Sequence, residues 1–329
     1  MTVRSPGATR RGLLGAAAVL TVPAHFAAAQ SFPSRTVTII VAYPPGGATD
    51  VVGRLIAEGL RERLGQPVVV DNRPAGGATL GMAQAARAAP DGYTLVIGNG
   101  HTLALNPHIH ANPGYVATRD FTPISLVCTT QNMVVVHPSI PARNLAELIA
   151  YAKQRPGELN YASTGAGSPG HLAAELFKSM AGIDMVHVPY RGAAPILSDM
   201  LAGRVQVYFA VPTSVTGAIS EGRLRALAVT SAQRSALFPE LSTVEEAGLP
   251  GFVVESWYGL LGPANLPAEI LARLHADTLA MLREPELRRR LAAGGLEPAT
   301  STPAEFAALI RTELDRWGPV IRAAGVRVE

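Results

Sequence analysis

Residues 36–50 read TVTIIVAYPPGGATD. Thr36–Tyr43 is a continuous apolar run, which predicts a strand buried on both faces. Pro44-Pro45 ends the run and Gly46-Gly47 turns the chain. Beyond the turn, Val52, Leu55, Ile56, Leu60 and Leu64 recur every three or four residues and form one apolar helical stripe. A buried strand, a glycine turn and an amphipathic helix, in that order, open an α/β sheet.

The pattern continues outward from that stretch. Pro67–Asp71 reads as a strand, Asn72–Gly77 as a glycine-rich turn, the residues to Arg87 as a helix and Tyr93–Gly98 as a third strand. A second unit follows. Ile124–His137 is a long extended stretch, and Asn144 with Glu147 forms a capping box for the next helix. Leu159–Ala162, Met185–Val188, Val205–Phe209 and Leu224–Thr230 are short apolar strands separated by helical patterns. The sheets are expected to be largely parallel. Val253–Leu261 is a further strand and two long helices are expected to finish the chain, the last with Thr302 as N-cap, Pro303 at its first position and Glu305 closing a capping box. No low-complexity linker separates the halves, so the two βαβ lobes are expected to be joined by chain that crosses more than once, near 122–137 and 224–231.

The N-terminus reads as a leader over residues 1–29. Arg10-Arg11 precede an apolar run from Leu13 to Val22, too short to span a bilayer as a retained anchor, and Ala27-Ala28-Ala29 offers a cleavage site before Gln30. Both the general secretory and the twin-arginine routes fit this segment. Removing its three arginines takes the 28 basic residues of the chain to 25, equal to its 25 acidic ones. The remainder is near neutral, with no basic block that argues for nucleic acid. The single Cys128 reads as a buried strand residue.

Two glycine-rich loops lie between a strand and a helix: Pro44–Asp50, and Ser163-Thr164-Gly165-Ala166-Gly167-Ser168-Pro169-Gly170-His171. Such loops bring backbone N–H groups and a helix N-terminus to a ligand, and they favour an anion. The second also matches the dinucleotide pattern at Gly165, Gly167 and Gly170. That pattern needs an acid at the end of the next strand, whereas Asp184 begins that strand. Ser168 lies in a near-match to a nucleophile elbow, but Pro169 has no N–H for an oxyanion hole, so a capping hydroxyl is the better reading. His101, His108 and His110 lack a carboxylate or thiol at ligand spacing. Arg191, after Pro189-Tyr190, either pairs with an anionic ligand or lies on the surface. No metal or cofactor is expected.

Several stretches in this order resemble one family: Tyr43–Asp50, Asp71–Pro74, Asp91–Leu95, Phe121–Leu126, Leu145–Lys153, Leu159–Tyr161, His171–Phe177, His187–Gly192, Leu224–Thr230 and Trp257–Pro263. The chain resembles the Bug family, the periplasmic receptors of tripartite tricarboxylate transporters. The resemblance implies a two-lobed, type II-like periplasmic binding protein fold with two crossover strands. The lobe boundaries expected are 30–123 with 232–329 for the first lobe and 124–231 for the second, with the C-terminal helix free to pack on either. It implies a monomeric receptor, not an enzyme, that captures a small carboxylate in the periplasm and hands it to membrane permease subunits. Carried over residue by residue, the ligand site takes in Tyr43, Pro44, Gly46, Gly47 and Asp50 on one side. On the other side it takes in Ser163, Thr164, Gly165, Ser168, His171, Tyr190 and Gly192. Asn99, in Gly98–His101, and the polar run Thr129–Asn132 depart from the family's pattern and are candidates to face the cleft. The alternatives are a receptor that feeds a sensor protein, and an α/β hydrolase or dehydrogenase.

Overall fold

A computed structural model describes residues 1–3, 32–165, 168–190 and 192–323. The leader assigned to 1–29, the cleavage point at Ala29/Gln30, and Arg191 therefore lie outside the described residues, apart from 1–3.

The first β-α unit forms as its sequence predicts: β1 (Val37–Val41), α1 (Ala48–Leu64), β2 (Val68–Asn72), α2 (Thr79–Ala86) and β3 (Thr94–Asn99). A single π turn, His101–Leu105, runs into the short α3 (Asn106–Ile109). Next come β4 (Phe121–Gln131) and β5 (Met133–Val136), then α4 (Leu145–Lys153), β6 (Asn160–Ser163), α5 (Pro169–Ala181) and β7 (Val186–Pro189). They lead to α6 (Ala193–Leu201), β8 (Val207–Ala210), α7 (Thr216–Ser220) and β9 (Arg225–Val229). The chain then forms β10 (Glu255–Pro263), α8 (Ala268–Met281), α9 (Pro285–Ala293), β11 (Glu297–Pro298) and α10 (Pro303–Ala323). The end of the chain thus holds three helices where two were expected. Pro285 starts a new helix after the extended Glu284 and divides α8 from α9.

The strands form two sheets, one lobe built on each. The six-stranded sheet has the order β11-β4-β10-β3-β1-β2 and the five-stranded sheet the order β7-β6-β8-β5-β9. The sheets are mixed rather than largely parallel. β1, β2 and β3 pair in parallel, as do β6, β7 and β8. β10 is antiparallel to both β3 and β4, and β5 to both β8 and β9. Strands that arrive from the other lobe come in without a crossover helix, and so run against the βαβ strands beside them.

The long extended stretch divides at Asn132. Residues 124–131, grouped above with the second lobe, pair with β10 in the six-stranded sheet, and β5 begins the other sheet one residue later. The return passage leaves β9, where Thr230 N donates to Asn132 O at 2.9 Å and Val254 N to Thr230 O at 2.7 Å. The two passages are therefore bonded to each other where they cross. α1, α8 and α9 cover one apolar face of the first sheet. α10 lies chiefly against β4 and the π turn and also reaches α5. Its Phe306 fills the space a Cβ on Gly259 would need, 2.1 Å from the ring.

Candidate functional site

α1 begins without a side-chain cap. Its N-cap, Gly47, has φ −81° and offers no oxygen, so the first N–H groups of the helix are left to solvent or a ligand. Gly46, one residue earlier, has φ +87°, a turn that suits glycine. Pro44, Gly46 and Gly47 are exposed.

Asp50 shapes this loop from behind. Its carboxylate accepts from Gly46 N, Arg54 Nε and Asn72 Nδ2, each at 2.9 Å. Burial opposes its ionisation, but these three donors and the Arg54 charge prevail and hold the carboxyl at about 2. Its oxygens are occupied within the protein, so Asp50 braces the loop. Asn99 does similar work: its Nδ2 donates to Thr49 Oγ1 at 3.3 Å and its Oδ1 accepts from Thr102 N at 2.9 Å. Tyr43 meets His101 Nδ1 at 2.9 Å through its hydroxyl. Burial pushes that phenol up to about 12 and, with the neighbouring His110, the His101 ring down to about 4.

The opposing loop follows β6. Ser163 is fully buried; its Oγ donates to Gly165 O at 3.0 Å, accepts from Gly165 N at 3.1 Å and meets His187 Nε2 at 2.6 Å. His171 packs inward, its ring stacked on His187 at 4.1 Å between centroids. Ser168 caps α5 by accepting from His171 N at 3.4 Å, and Pro169 takes the first helical position. This is the capping role weighed above against a nucleophile. Tyr190 turns to Asp199, to which its hydroxyl donates at 2.8 Å. Gly192 is the N-cap of α6, with φ +110° and, like Gly47, no side-chain cap.

The two loops share one cavity of about 150 Å³. Ala48 reaches it from the first loop; Thr164, Pro169 and Gly170 reach it from the second. Larger hollows of about 650 and 540 Å³ lie against α7 and α2, and neither loop lines them. The smaller one is where the elements converge that can hold an anion.

Of the ligand-site residues carried over from the family, Thr164 lines this cavity directly, and Gly47 and Ser168 adjoin residues that do. Asp50, Asn99 and Ser163 stand behind the loops. Sequence reasoning missed Tyr208, Ser256, Tyr258 and Leu296 in the walls. The i, i+2 spacing of Ser256 and Tyr258 on β10 was the available signal, since alternate strand residues share a face. Thr130 and Asn132, from the polar run already noted, also line it. The histidines serve elsewhere: His108 Nε2 lies 2.8 Å from Leu314 O. No group of three or more His, Cys, Asp or Glu able to hold a metal ion occurs among the described residues. No helix among them is long and apolar enough to cross a membrane.

Residues 52–326 match the family described as the tripartite tricarboxylate transporter family receptor. The chain is 35% identical to protein BugT of Bordetella pertussis over 302 residues, 92% of this chain and 93% of that one. Among solved structures it is similar to Rpa4515 of R. palustris with adipate: TM-score 0.76, 36% identity, 90% of this chain and 99% of the other. It is also similar to MatC (Rpa3494) of Rhodopseudomonas palustris with bound malate: TM-score 0.71, 32% identity, 88% of this chain and 100% of the other.

Proposed function

The chain belongs to the tripartite tricarboxylate transporter receptor family, and on that premise we propose that it captures a small organic acid in the periplasm and presents it to the membrane subunits of such a transporter. The observation that carries this reading is the shared cavity: two glycine loops, one from each lobe, meet over about 150 Å³. That is well below the roughly 300 Å³ at which pockets for drug-sized ligands begin, and it suits an acid of a few carbons. Uncapped N–H groups at α1 are suited to a carboxylate, through hydrogen bonds and the helix dipole together. The adipate and malate named in the similar structures are ligands of the same class.

On this reading the protein binds without turnover. Ser168, the residue nearest to a nucleophile motif, is spent on capping α5. Export follows from the Arg-Arg and Ala-x-Ala pattern of the leader. Native mass spectrometry of protein purified from the periplasm, followed by calorimetry with malate, succinate, adipate and citrate, tests the proposal. The expected result is a co-purified acid or saturable binding of at least one of the four, on a chain that starts near Gln30. Binding of sugars or metal ions alone would overturn it.

A further inference from the structure

Asn132 is the residue at which the chain first passes from one sheet to the other, between β4 and β5. Its backbone is fully engaged. Its N–H donates to Thr230 Oγ1 at 2.9 Å, and its C=O accepts from Thr230 N at 2.9 Å. Its side chain is not. The residue is 4% exposed, and Nδ2 is buried with no hydrogen-bond partner. Buried amide donors are nearly always paired, and one that is not calls for an explanation such as a bound group.

The setting supplies one. Asn132 lines the cavity that the glycine loops share. Thr130, its neighbour in that wall, already donates its hydroxyl proton to Gly295 O at 2.9 Å. No lysine or arginine is among the described residues of the lining. The glycine loops meet the ligand from the mouths of α1 and α5, and the crossover forms another part of the wall. A ligand whose first carboxylate sits at the loops therefore has an unspent neutral donor along its other end.

We propose that Asn132 is a specificity-determining residue, its Nδ2 donating to a second oxygen acceptor of the ligand, so that the receptor prefers a short dicarboxylate to the matching monocarboxylate. This rests on the carboxylate reading above and narrows it. An amide reaches an acceptor without adding charge to the pocket, and it confers preference because an apolar chain end leaves it unpaired. The same residue bonds Thr230 on the return passage, so the contact is made where the two passages between the sheets cross.

The test uses matched pairs, succinate with butyrate and adipate with hexanoate, titrated calorimetrically into the wild type, Asn132→Leu and Asn132→Asp. The wild type is expected to bind at least one diacid more tightly than its partner. Asn132→Leu should weaken that diacid about ten- to a hundredfold, the loss of one hydrogen bond to a charged group, and leave the monoacid within about twofold. Asn132→Asp, which puts an anion in place of the donor, should weaken the diacid at least as much. The ligand-free melting temperature of Asn132→Leu should rise, because an unpaired buried donor is removed; an amide with a purely structural bond would lower it. Should Asn132→Leu fail to fold, the Asp variant decides alone. An unchanged diacid-to-monoacid ratio in the folded variants, or a wild type without diacid preference, overturns the inference while leaving the receptor reading intact. A wild type that binds none of these four acids, and neither malate nor citrate, overturns both.

Discussion

At Gly46 the backbone takes φ +87°, while at Gly47 it takes −81°, so the two adjacent glycines are not equivalent. A Cβ at either position meets nothing closer than 3.9 Å, so conformation and not space separates them. Gly46→Ala should cost about 1–2 kcal/mol of stability, the penalty for an L-residue in a left-handed turn. Gly47→Ala, at the extended N-cap of α1, should cost less, about 0.5–1 kcal/mol. Denaturant unfolding of both variants measures the difference. His171 gives a second prediction at this scale. Burial, and then the charge of His187, lower its ring from the ordinary 6.5 to about 4. Between those values the unfolded chain binds the proton and the folded chain does not. The stability carried by the neutral ring is therefore whole above pH 6.5 and is lost as pH falls through 4. For a side chain this buried the effect is on the order of 3 kcal/mol. Melting curves from pH 7 to pH 4 should fall steadily for the wild type and less steeply for His171→Gln.

At the scale of elements, the contact between α5 and β8 depends on one missing side chain. A Cβ on Gly170 would lie 2.7 Å from the backbone oxygen of Phe209. The third glycine of the apparent dinucleotide pattern is thus explained by close approach of a helix to a strand. Gly170→Ala should destabilise the protein by about 1–3 kcal/mol as α5 is pushed outward. It should also weaken malate or succinate binding, because Gly170 and Pro169 line the cavity. Calorimetry at a temperature where the variant remains folded separates the two effects. Two helices close their N-termini with local side-chain caps. α4 is capped by Asn144, whose Oδ1 accepts from Glu147 N at 2.9 Å, and α10 by Thr302, whose Oγ1 accepts from Glu305 N at 3.2 Å.

At the scale of the whole molecule, the lobes are joined by two passages bonded to each other through Asn132 and Thr230. A ligand that touches loops from both lobes favours the conformation in which those loops are close, by its difference in affinity for the two states. Small-angle scattering on ligand-stripped protein should therefore show a smaller radius of gyration after saturation with whichever of malate, succinate or adipate binds. Superimposable curves would mean that the site is rigid. The two lobes also share apolar core. One buried cluster runs from Met82 and Phe306 on the first-sheet side to Phe177 and Tyr161 on the second. On ligand closure α10 is expected to slide against α5, with which it is in contact.

Much of this architecture is written locally and could be read from the chain alone. The α/β alternation, the glycine turn before α1 and both capping boxes depend on residues within a few positions of one another, so period and spacing suffice to find them. The glycine loops were likewise legible as a pair of strand-to-helix turns. What the chain could not reveal was which polar groups have partners already. Asp50 and Ser163 looked like ligand contacts, and only the fold showed them occupied by Asn72, 22 residues away, and His187, 24 residues away. Asn132 stood out only as one of a polar run, Thr129–Asn132, and as a candidate to face the cleft. Its backbone is fixed by Thr230, 98 positions along the chain, and its side-chain donor faces a cavity whose walls come from both sheets. Whether a buried polar group is satisfied depends on everything packed around it, so this property is decided by tertiary structure and by nothing shorter in range.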